Sequence, residues 1–158
     1  MRDDPFQTDS CAIIDNDGTV MQFIGDAVMA VFGAPVPISH HADCALAAAH
    51  AMHRAQAELN RRWEAEGREP FGLGIGLSTG PVAAALLGSE ERLEYTVIGD
   101  TVNLSQRLQQ WAEPGETVVS EVTWEALGTK PDAEALQPAA VKGRAALVRA
   151  YKVASEAA

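Results

Sequence analysis

The sequence is poor in positive charge. Its 158 residues include 12 lysines and arginines against 22 aspartates and glutamates, so the formal net charge is −10 at pH 7. Proteins that bind nucleic acid carry a basic patch or stripe, and this balance argues against such a function. A small polyanion is still a possible ligand, because metal ions and a few local cations can neutralise phosphates.

Long apolar runs and paired cysteines are also missing. No stretch approaches the roughly 20 apolar residues of a membrane-spanning helix, and the start lacks the charged and apolar regions of a signal peptide. Cys11 and Cys44 have neither metal-ligand nor redox spacing, which indicates free thiols in a reducing compartment. We therefore expect a cytoplasmic domain without membrane contact from this segment.

The chain has no phosphate loop either. Gly76, Gly80 and Gly88 permit tight backbone packing, but no glycine-rich run ends in Lys-Ser or Lys-Thr. A phosphate-bearing ligand would have to be held in another way.

What is present indicates one globular domain over residues 1–158, with residues 1–9 disordered. Hydrophobic residues make up 47% and charged residues 22%, which is ordinary for a domain with a real core. Runs of strands with covering helices predict an α+β fold. The first half of the chain is predicted to hold the last turn of a helix over Ser10 to Ile14, a hairpin over Thr19 to Phe32, and a long helix over 39–66. A meander of strands over 71–79, 82–87 and 93–98 follows, and then a helix over Thr101 to Trp111. The predicted end of the chain is a strand over Thr117 to Ser120, a brief helix over Glu121 to Leu127, and a final hairpin turning at Lys142-Gly143-Arg144.

The most informative segment runs from Val20 to Phe32. Two apolar, partly alternating stretches flank Gly25-Asp26, which predicts a hairpin with a carboxylate at its tip. Aspartate is common in such turns for geometry alone. Magnesium, however, is held by one or two carboxylates together with substrate phosphates, and a hairpin tip is accessible to both. Asp26 is therefore the best candidate metal ligand.

A second Gly-Asp pair, Gly99-Asp100, opens a predicted helix. Asn103 and Arg107 lie four residues apart in it and so share one helix face. An amide and a planar guanidinium can together orient a ribose and stabilise charge that builds on a phosphorus centre. A solvated polar helix face is the alternative for this pair considered alone.

Three further residues are candidate substrate contacts. Gln22 and Thr96 each lie on a predicted strand four residues before a Gly-Asp aspartate, and both side chains can donate to and accept from a purine edge. Lys142, in a turn beside Gly143, could reach a terminal phosphate as a point charge. The alternatives are simple β-propensity for Thr96, a polar strand face for Gln22 and an ordinary turn for Lys142.

Taken together, these segments resemble the catalytic domain of class III nucleotide cyclases, the adenylate and guanylate cyclases. The resemblance covers Phe23 to Pro35, Gly74 to Val82, Tyr95 to Leu104 with Arg107, and Val141 to Gly143, in that order. It implies a ferredoxin-like domain with an antiparallel sheet and helices on one face. It also implies a head-to-tail homodimer, or a heterodimer with another cyclase domain, with active sites at the interface.

The resemblance also implies a role for each candidate residue. Asp26 corresponds to a metal-binding aspartate, and Asn103 and Arg107 correspond to the pair that orients the ribose and stabilises the transition state. Lys142 corresponds to a triphosphate-binding lysine, and Thr96 to a purine-selecting position that is also threonine in many bacterial adenylate cyclases. The implied reaction is attack of the ribose 3′-oxygen on the α-phosphorus of ATP, with two Mg²⁺ or Mn²⁺ ions, to give cyclic AMP and pyrophosphate.

The chain departs from the family pattern in two respects. A purine-selecting lysine of the family is Gln22 here, so discrimination against guanine, and hence against GTP, should weaken. The pattern also begins with a central strand that bears the other metal aspartate, followed by a helix. This chain reaches its hairpin by residue 19, so we expect both elements to be absent.

Three functions follow, with an adenylate cyclase favoured. A degenerate, cyclase-like module for nucleotide binding or regulatory dimerisation is the second, supported by Gln22 and by the single metal carboxylate. A guanylate cyclase is the third, and Thr96 disfavours it. The missing strand indicates a piece of a longer protein, a domain completed by a partner, or a degenerate cyclase.

Overall fold

The fold is mixed α+β, as predicted, and the computed structural model describes residues 5–154. The side chains of Phe6, Leu87 and residues 92–95 lie outside that description. The helices are α1 (Pro5–Asp15), α2 (His41–Ala65), α3 (Asp100–Trp111) and α4 (Glu121–Ala126). The strands are β1 (Gly18–Ile24), β2 (Ala27–Phe32), β3 (Ile75–Leu77), β4 (Ala83–Ser89), β5 (Arg92–Ile98), β6 (Thr117–Ser120), β7 (Ala133–Ala135) and β8 (Ala150–Val153).

Helix α1 corrects two expectations about the start of the chain. Residues 5–9 are helical rather than disordered, and residues 1–4 lie outside the described residues. A helix therefore does precede the first hairpin, and it packs against α2 with Ala12 and Ile13 buried. The predicted last turn over Ser10 to Ile14 is confirmed as the end of α1, whereas the polar run from Gln7 to Ser10 conceals the earlier part of the helix. Because α1 begins at the first described residue, the expected absence of the family's first strand stays a prediction.

The strands form three separate sheets. β1–β2 and β4–β5 are two-stranded antiparallel ribbons, and the third sheet has the order β3-β6-β8-β7. The antiparallel pairing of β4 with β5 confirms one half of the predicted meander, but β3 pairs with β6 in parallel, so its place in the meander is wrong. The small residue Gly76 permits a very close approach of β3 to α3, since a Cβ there would lie 2.4 Å from the backbone N of Gln109 and the carbonyl O of Ser105.

Helices cover both faces of the four-stranded sheet, whereas we expected them on one face. β6 is buried along its whole length, and its successive side chains point to opposite faces. Val119 packs on one face with Ala42 and Leu46 of α2, together with Leu127 and Val153. Val118 packs on the other face with Leu104 and Leu108 of α3, together with Val148 and Ala150. Helices α2 and α3 therefore lie on opposite sides of β6.

A buried histidine joins α2 to β6. His53 Nε2 lies 3.2 Å from the carbonyl O of Glu116 and 3.1 Å from Thr117 Oγ1. Burial lowers the pKa of His53 below its usual value of 6.5, nearby His50 lowers it further, and the hydrogen bond with Glu116 opposes both. The folded protein therefore favours the neutral imidazole.

We expect this histidine to make the free energy of unfolding depend on pH. Between about pH 6.5 and the lower pKa of the folded state, the unfolded chain takes up a proton that folded His53 resists, so stability falls as pH falls through this window. Above it, the contribution is constant. Urea unfolding from about pH 7.5 to about pH 5.5 should give a shallower pH dependence for His53→Gln than for the unchanged chain. The exposed His40, as His40→Gln, is the matched control; equal slopes for all three proteins would exclude His53 as the cause.

Candidate functional site

Asp26 lies at the tip of the β1–β2 ribbon, as predicted. Ile24 pairs with Ala27, so Gly25-Asp26 is a two-residue connection. Gly25 has φ +61, which suits a type II′ turn with glycine at the first central position. The Asp26 side chain is exposed, so its carboxylate is accessible to a ligand.

Asn103 and Arg107 lie on the exposed side of α3. Leu104 and Leu108, each one position further along, are buried in the core, so the helix turns its polar face to solvent. Arg107 Nη1 donates to Gln110 Oε1 at 3.3 Å. A guanidinium has five N–H donors, and this one contact on its own helix leaves Arg107 able to bind an anion.

The loop 78–81 fixes the first turn of α3. The Thr101 hydroxyl donates to the carbonyl O of Pro81 at 2.8 Å, and the Ser78 hydroxyl donates to the carbonyl O of Thr101. Gly80 is needed at this contact, because a Cβ there would lie 2.6 Å from Thr101 Oγ1. Asn103, whose amide closes this turn by donating to the carbonyl O of Gly99 at 3.2 Å, is therefore positioned by the backbone of a neighbouring loop.

Thr96 carries a buried hydroxyl without a partner. The residue is 4% exposed on β5, opposite Ala85 in β4. In the described part of the chain, no hydrogen-bond partner reaches its Oγ1. Leaving a buried hydroxyl unpaired costs about 1–3 kcal/mol, so a ligand that hydrogen-bonds here would relieve that cost.

Gln22 lies on the strand next to the one that carries Thr96, because β1 contacts β5. The register with β2 shifts between Val20 and Gln22, so a bulge at Met21 immediately precedes Gln22. A bulge changes the direction in which the following side chains point. The strict alternation of side chains along a regular strand therefore does not predict the face on which Gln22 lies. The side chain is half-buried.

Lys142 is exposed in a tight turn between β7 and β8. The amide of Arg144 donates to the carbonyl O of Val141 at 3.1 Å, and Gly143 has φ +91. The predicted final hairpin is confirmed by the antiparallel pairing of β7 with β8. Arg144 Nη2 lies 3.0 Å from Asp100 Oδ2 at the start of α3, a contact that the sequence did not reveal. The structure thus brings the Lys142 turn to the helix that bears Asn103 and Arg107.

A cavity of about 420 Å³ lies elsewhere, between α2 and the loop after α4. Its lining residues are Asn16, Asp43, Leu46, Ala47, His50, Ala51, Arg54, Thr129 and Pro131, and none of them is a predicted site residue. Among the side chains that the structure describes, no group of three or more from His, Cys, Asp or Glu is placed to hold a metal ion. No helix within residues 5–154 combines the length and the apolar composition needed to cross a bilayer.

The match to a known family decides the identity of the domain. Residues 11–154 match the family described as "Adenylate and Guanylate cyclase catalytic domain". The chain belongs to this family. The match begins inside α1, so residues 11–15 of this helix and the whole β1–β2 ribbon lie within the matched cyclase domain.

Relatives of this cyclase domain include both enzyme types. It is 39% identical to Adenylate cyclase 1 of Rhizobium meliloti (strain 1021) over 94 residues. This aligned stretch covers 60% of this chain and 14% of that protein. The solved adenylyl cyclase CyaB from P. aeruginosa has a TM-score of 0.88 at 29% identity, over 97% of this chain and 80% of that one. The guanylyl cyclase Cya2 has a TM-score of 0.84 at 31% identity, over 96% of this chain and 78% of that one. The chain spans only 14–18% of the length of the first curated relatives.

Proposed function

We propose that this cyclase domain converts ATP to cyclic AMP and pyrophosphate at a site shared by two copies of the chain. One observation carries the proposal: within the family match, one chain presents an exposed acidic group, Asp26, and an exposed amide–guanidinium pair, Asn103 and Arg107. The acidic group suits a cation, and the pair suits a ribose and a phosphate.

A divalent ion fits the first of these groups. Asp26 offers an exposed carboxylate on a hairpin tip, and Mg²⁺ or Mn²⁺ is commonly held by one or two carboxylates together with substrate phosphates. When bound, the ion would supply charge neutralisation at the phosphates. Two ions are expected for a complete site, and Asp26 is the carboxylate that the family resemblance assigns within this chain.

The chain's own residues would position the reacting groups. In the reaction, the ribose 3′-oxygen forms a bond to the α-phosphorus as the bond from the α-phosphorus to the pyrophosphate oxygen breaks. The proton of the 3′-hydroxyl passes to solvent or to the released pyrophosphate. Asn103 would hold the ribose so that the 3′-oxygen faces the phosphorus. Arg107 would donate to the α-phosphate oxygens as negative charge builds on them, and Lys142 would bind the terminal phosphates.

Base selection would fall to Thr96 and Gln22. The unpartnered buried hydroxyl of Thr96 supports a hydrogen bond to the purine edge. Both side chains can donate and accept, so they can adapt to adenine or guanine better than a fixed cationic donor can. We therefore propose a preference for ATP over GTP that is modest, about tenfold or less.

Exposed apolar side chains support the second copy. Large apolar residues on both ribbons face solvent in the single chain, with exposed fractions of 55% for Phe23, 66% for Leu86 and 50% for Ile98. Exposed apolar surface of this kind marks interaction sites. A second copy of the chain would bury it and bring Asp26 of one copy to Arg107 of the other.

The test is a parallel assay with ATP and GTP in the presence of Mn²⁺ or Mg²⁺, with light scattering to measure the oligomeric state. It is run on this chain and on a version extended by the N-terminal strand of the family pattern. We expect cyclic AMP from a dimer. A strong preference for GTP would refute the adenylate assignment, and a folded dimer that forms neither product would support the regulatory alternative.

A further inference from the structure

We propose that Arg144 is a positioning residue for the cyclase reaction. Its ion pair with Asp100 holds the turn that carries Lys142 against the first turn of α3, which leads into Asn103. The inference rests on the proposed function, because the role of Lys142 at the terminal phosphates is assigned there.

The turn from Val141 to Arg144 places Lys142 between two anchors. The amide of Arg144 donates to the carbonyl O of Val141, and Gly143 supplies the positive φ that a type II turn needs at its third position. Lys142 therefore occupies the exposed second position. Val141 packs against the cluster that includes Leu104 and Leu108 of α3, which is the first anchor.

The Arg144–Asp100 ion pair is the second anchor. The guanidinium Nη2 lies 3.0 Å from the carboxylate Oδ2, and the side chains of Arg144 and Asp100 are 34% and 61% exposed. A partly exposed pair provides little stability to the whole protein. It can nevertheless select one orientation of a short turn, because the competing orientations differ little in energy.

The α3 side of this contact is itself fixed. Thr101, next to Asp100, is held by hydrogen bonds to loop 78–81 from both its hydroxyl and its carbonyl group. The ion pair therefore ties the Lys142 turn to a fixed point of the helix rather than to a loose end. Without Arg144, the packing of Val141 and the backbone hydrogen bonds between Ala139 and Val148 would still close the base of this loop. The tip at Lys142 would lose its tie to α3, and the long lysine side chain would sample positions away from the phosphates.

Replacing Asp100 distinguishes positioning from plain electrostatics. If Arg144 acted only through its positive charge on the nucleotide, Asp100→Asn would remove a nearby negative charge and lower the KM for ATP. If the ion pair positions Lys142, Asp100→Asn breaks it and the KM rises. The two explanations predict changes of opposite sign.

The experiment compares steady-state kinetics with ATP in single and double variants of the full chain. We expect Arg144→Ala and Asp100→Asn each to raise the KM by about threefold to fivefold, the range that an exposed ion pair can provide. The kcat should change less than twofold, because Lys142 binds the phosphates alike before and during the reaction. Arg144→Lys, which can restore the pair, should recover part of the loss.

A double-mutant cycle with Lys142 tests whether Arg144 acts through it. Lys142→Ala should raise the KM more than Arg144→Ala does, and adding Arg144→Ala to Lys142→Ala should cause no further increase. Additive effects would show that Arg144 contacts the nucleotide independently and would overturn the proposal. Arg149→Ala is the matched control, because Arg149 lies in the same segment and pairs at 3.9 Å with Glu121, the first residue of α4.

Hydrogen exchange measured by mass spectrometry on the peptide covering residues 139–148 is a readout independent of catalysis. We expect faster exchange in Arg144→Ala and Asp100→Asn than in Arg149→Ala, whether or not nucleotide is present. Unchanged exchange, or an unchanged KM in an active enzyme, would overturn the positioning role. If exchange is faster in both variants but the unchanged chain makes no cyclic nucleotide, the proposed function is refuted. The ion pair would then be established as a restraint on the turn without a role in catalysis.

Discussion

A chain with Asp26→Asn is expected to form no measurable cyclic nucleotide under conditions in which the unchanged chain is active. The substitution keeps the size of the side chain and removes the charge that a divalent ion requires. Asparagine is as well suited to a hairpin turn as aspartate, and Asp26 is exposed. Stability should therefore stay within about 0.5 kcal/mol of the original. Turnover over a titration of Mn²⁺, together with thermal unfolding, measures both quantities.

The matched control makes the same change at the other end of β1. Asp17 is an exposed turn residue with φ +68, a conformation that asparagine also tolerates. Asp17→Asn should leave turnover unchanged. If Asp26→Asn also kept turnover within twofold, Asp26 would be a turn residue only and the metal assignment would be lost.

Replacing Arg107 by alanine is expected to lower kcat by about 100-fold, the scale of losing one preorganised donor to a developing negative charge. KM should change much less, because this interaction strengthens mainly in the transition state. Arg107→Lys keeps the charge but not the planar fork, so it should recover only part of the loss. Gln110→Ala, which removes the contact of Arg107 on its own helix, is the control and should stay near full activity. An unchanged kcat in Arg107→Ala would remove this residue from the mechanism.

Mixing the two inactive variants tests whether each site draws on two copies. In an equal mixture of Asp26→Asn and Arg107→Ala chains that exchange freely, half of the dimers contain one of each chain. In a two-fold symmetric dimer with shared sites, each mixed dimer has one intact site of two, so about a quarter of the original activity returns. No recovery, with exchange verified by a tagged copy, would place Asp26 and Arg107 within the same chain's site.

The elements that carry the site were predictable because their signals are local. Gly25-Asp26 between apolar strands indicates a hairpin from a few adjacent residues, and the spacing of Leu104 and Leu108 indicates a buried helix face. The same spacing puts Asn103 and Arg107 on the solvent side, as the structure has them.

Features that depend on distant partners were not predictable. β3 pairs with β6, which follows some 40 residues later, and nothing local distinguishes that partner from the nearer β4. The Arg144–Asp100 contact likewise joins residues far apart in sequence. No feature of the sequence marks the bulge at Met21. The face of the strand on which Gln22 lies is therefore set by the pairing of β1 with β2. Only the tertiary structure contains this information.

The division of the strands into three sheets has a consequence for how such a domain can diversify. The residues proposed to contact the base, Gln22 and Thr96, lie on the two ribbons, whereas α3 packs on the four-stranded sheet through β3 and β6. In the proposed mechanism, the base contacts and the ribose and α-phosphate contacts of α3 therefore rest on separate sheets, whereas the candidate metal ligand Asp26 lies on the same ribbon as Gln22. Substitutions on the ribbons away from Asp26 can change which nucleotide is accepted while Asn103 and Arg107 keep their alignment.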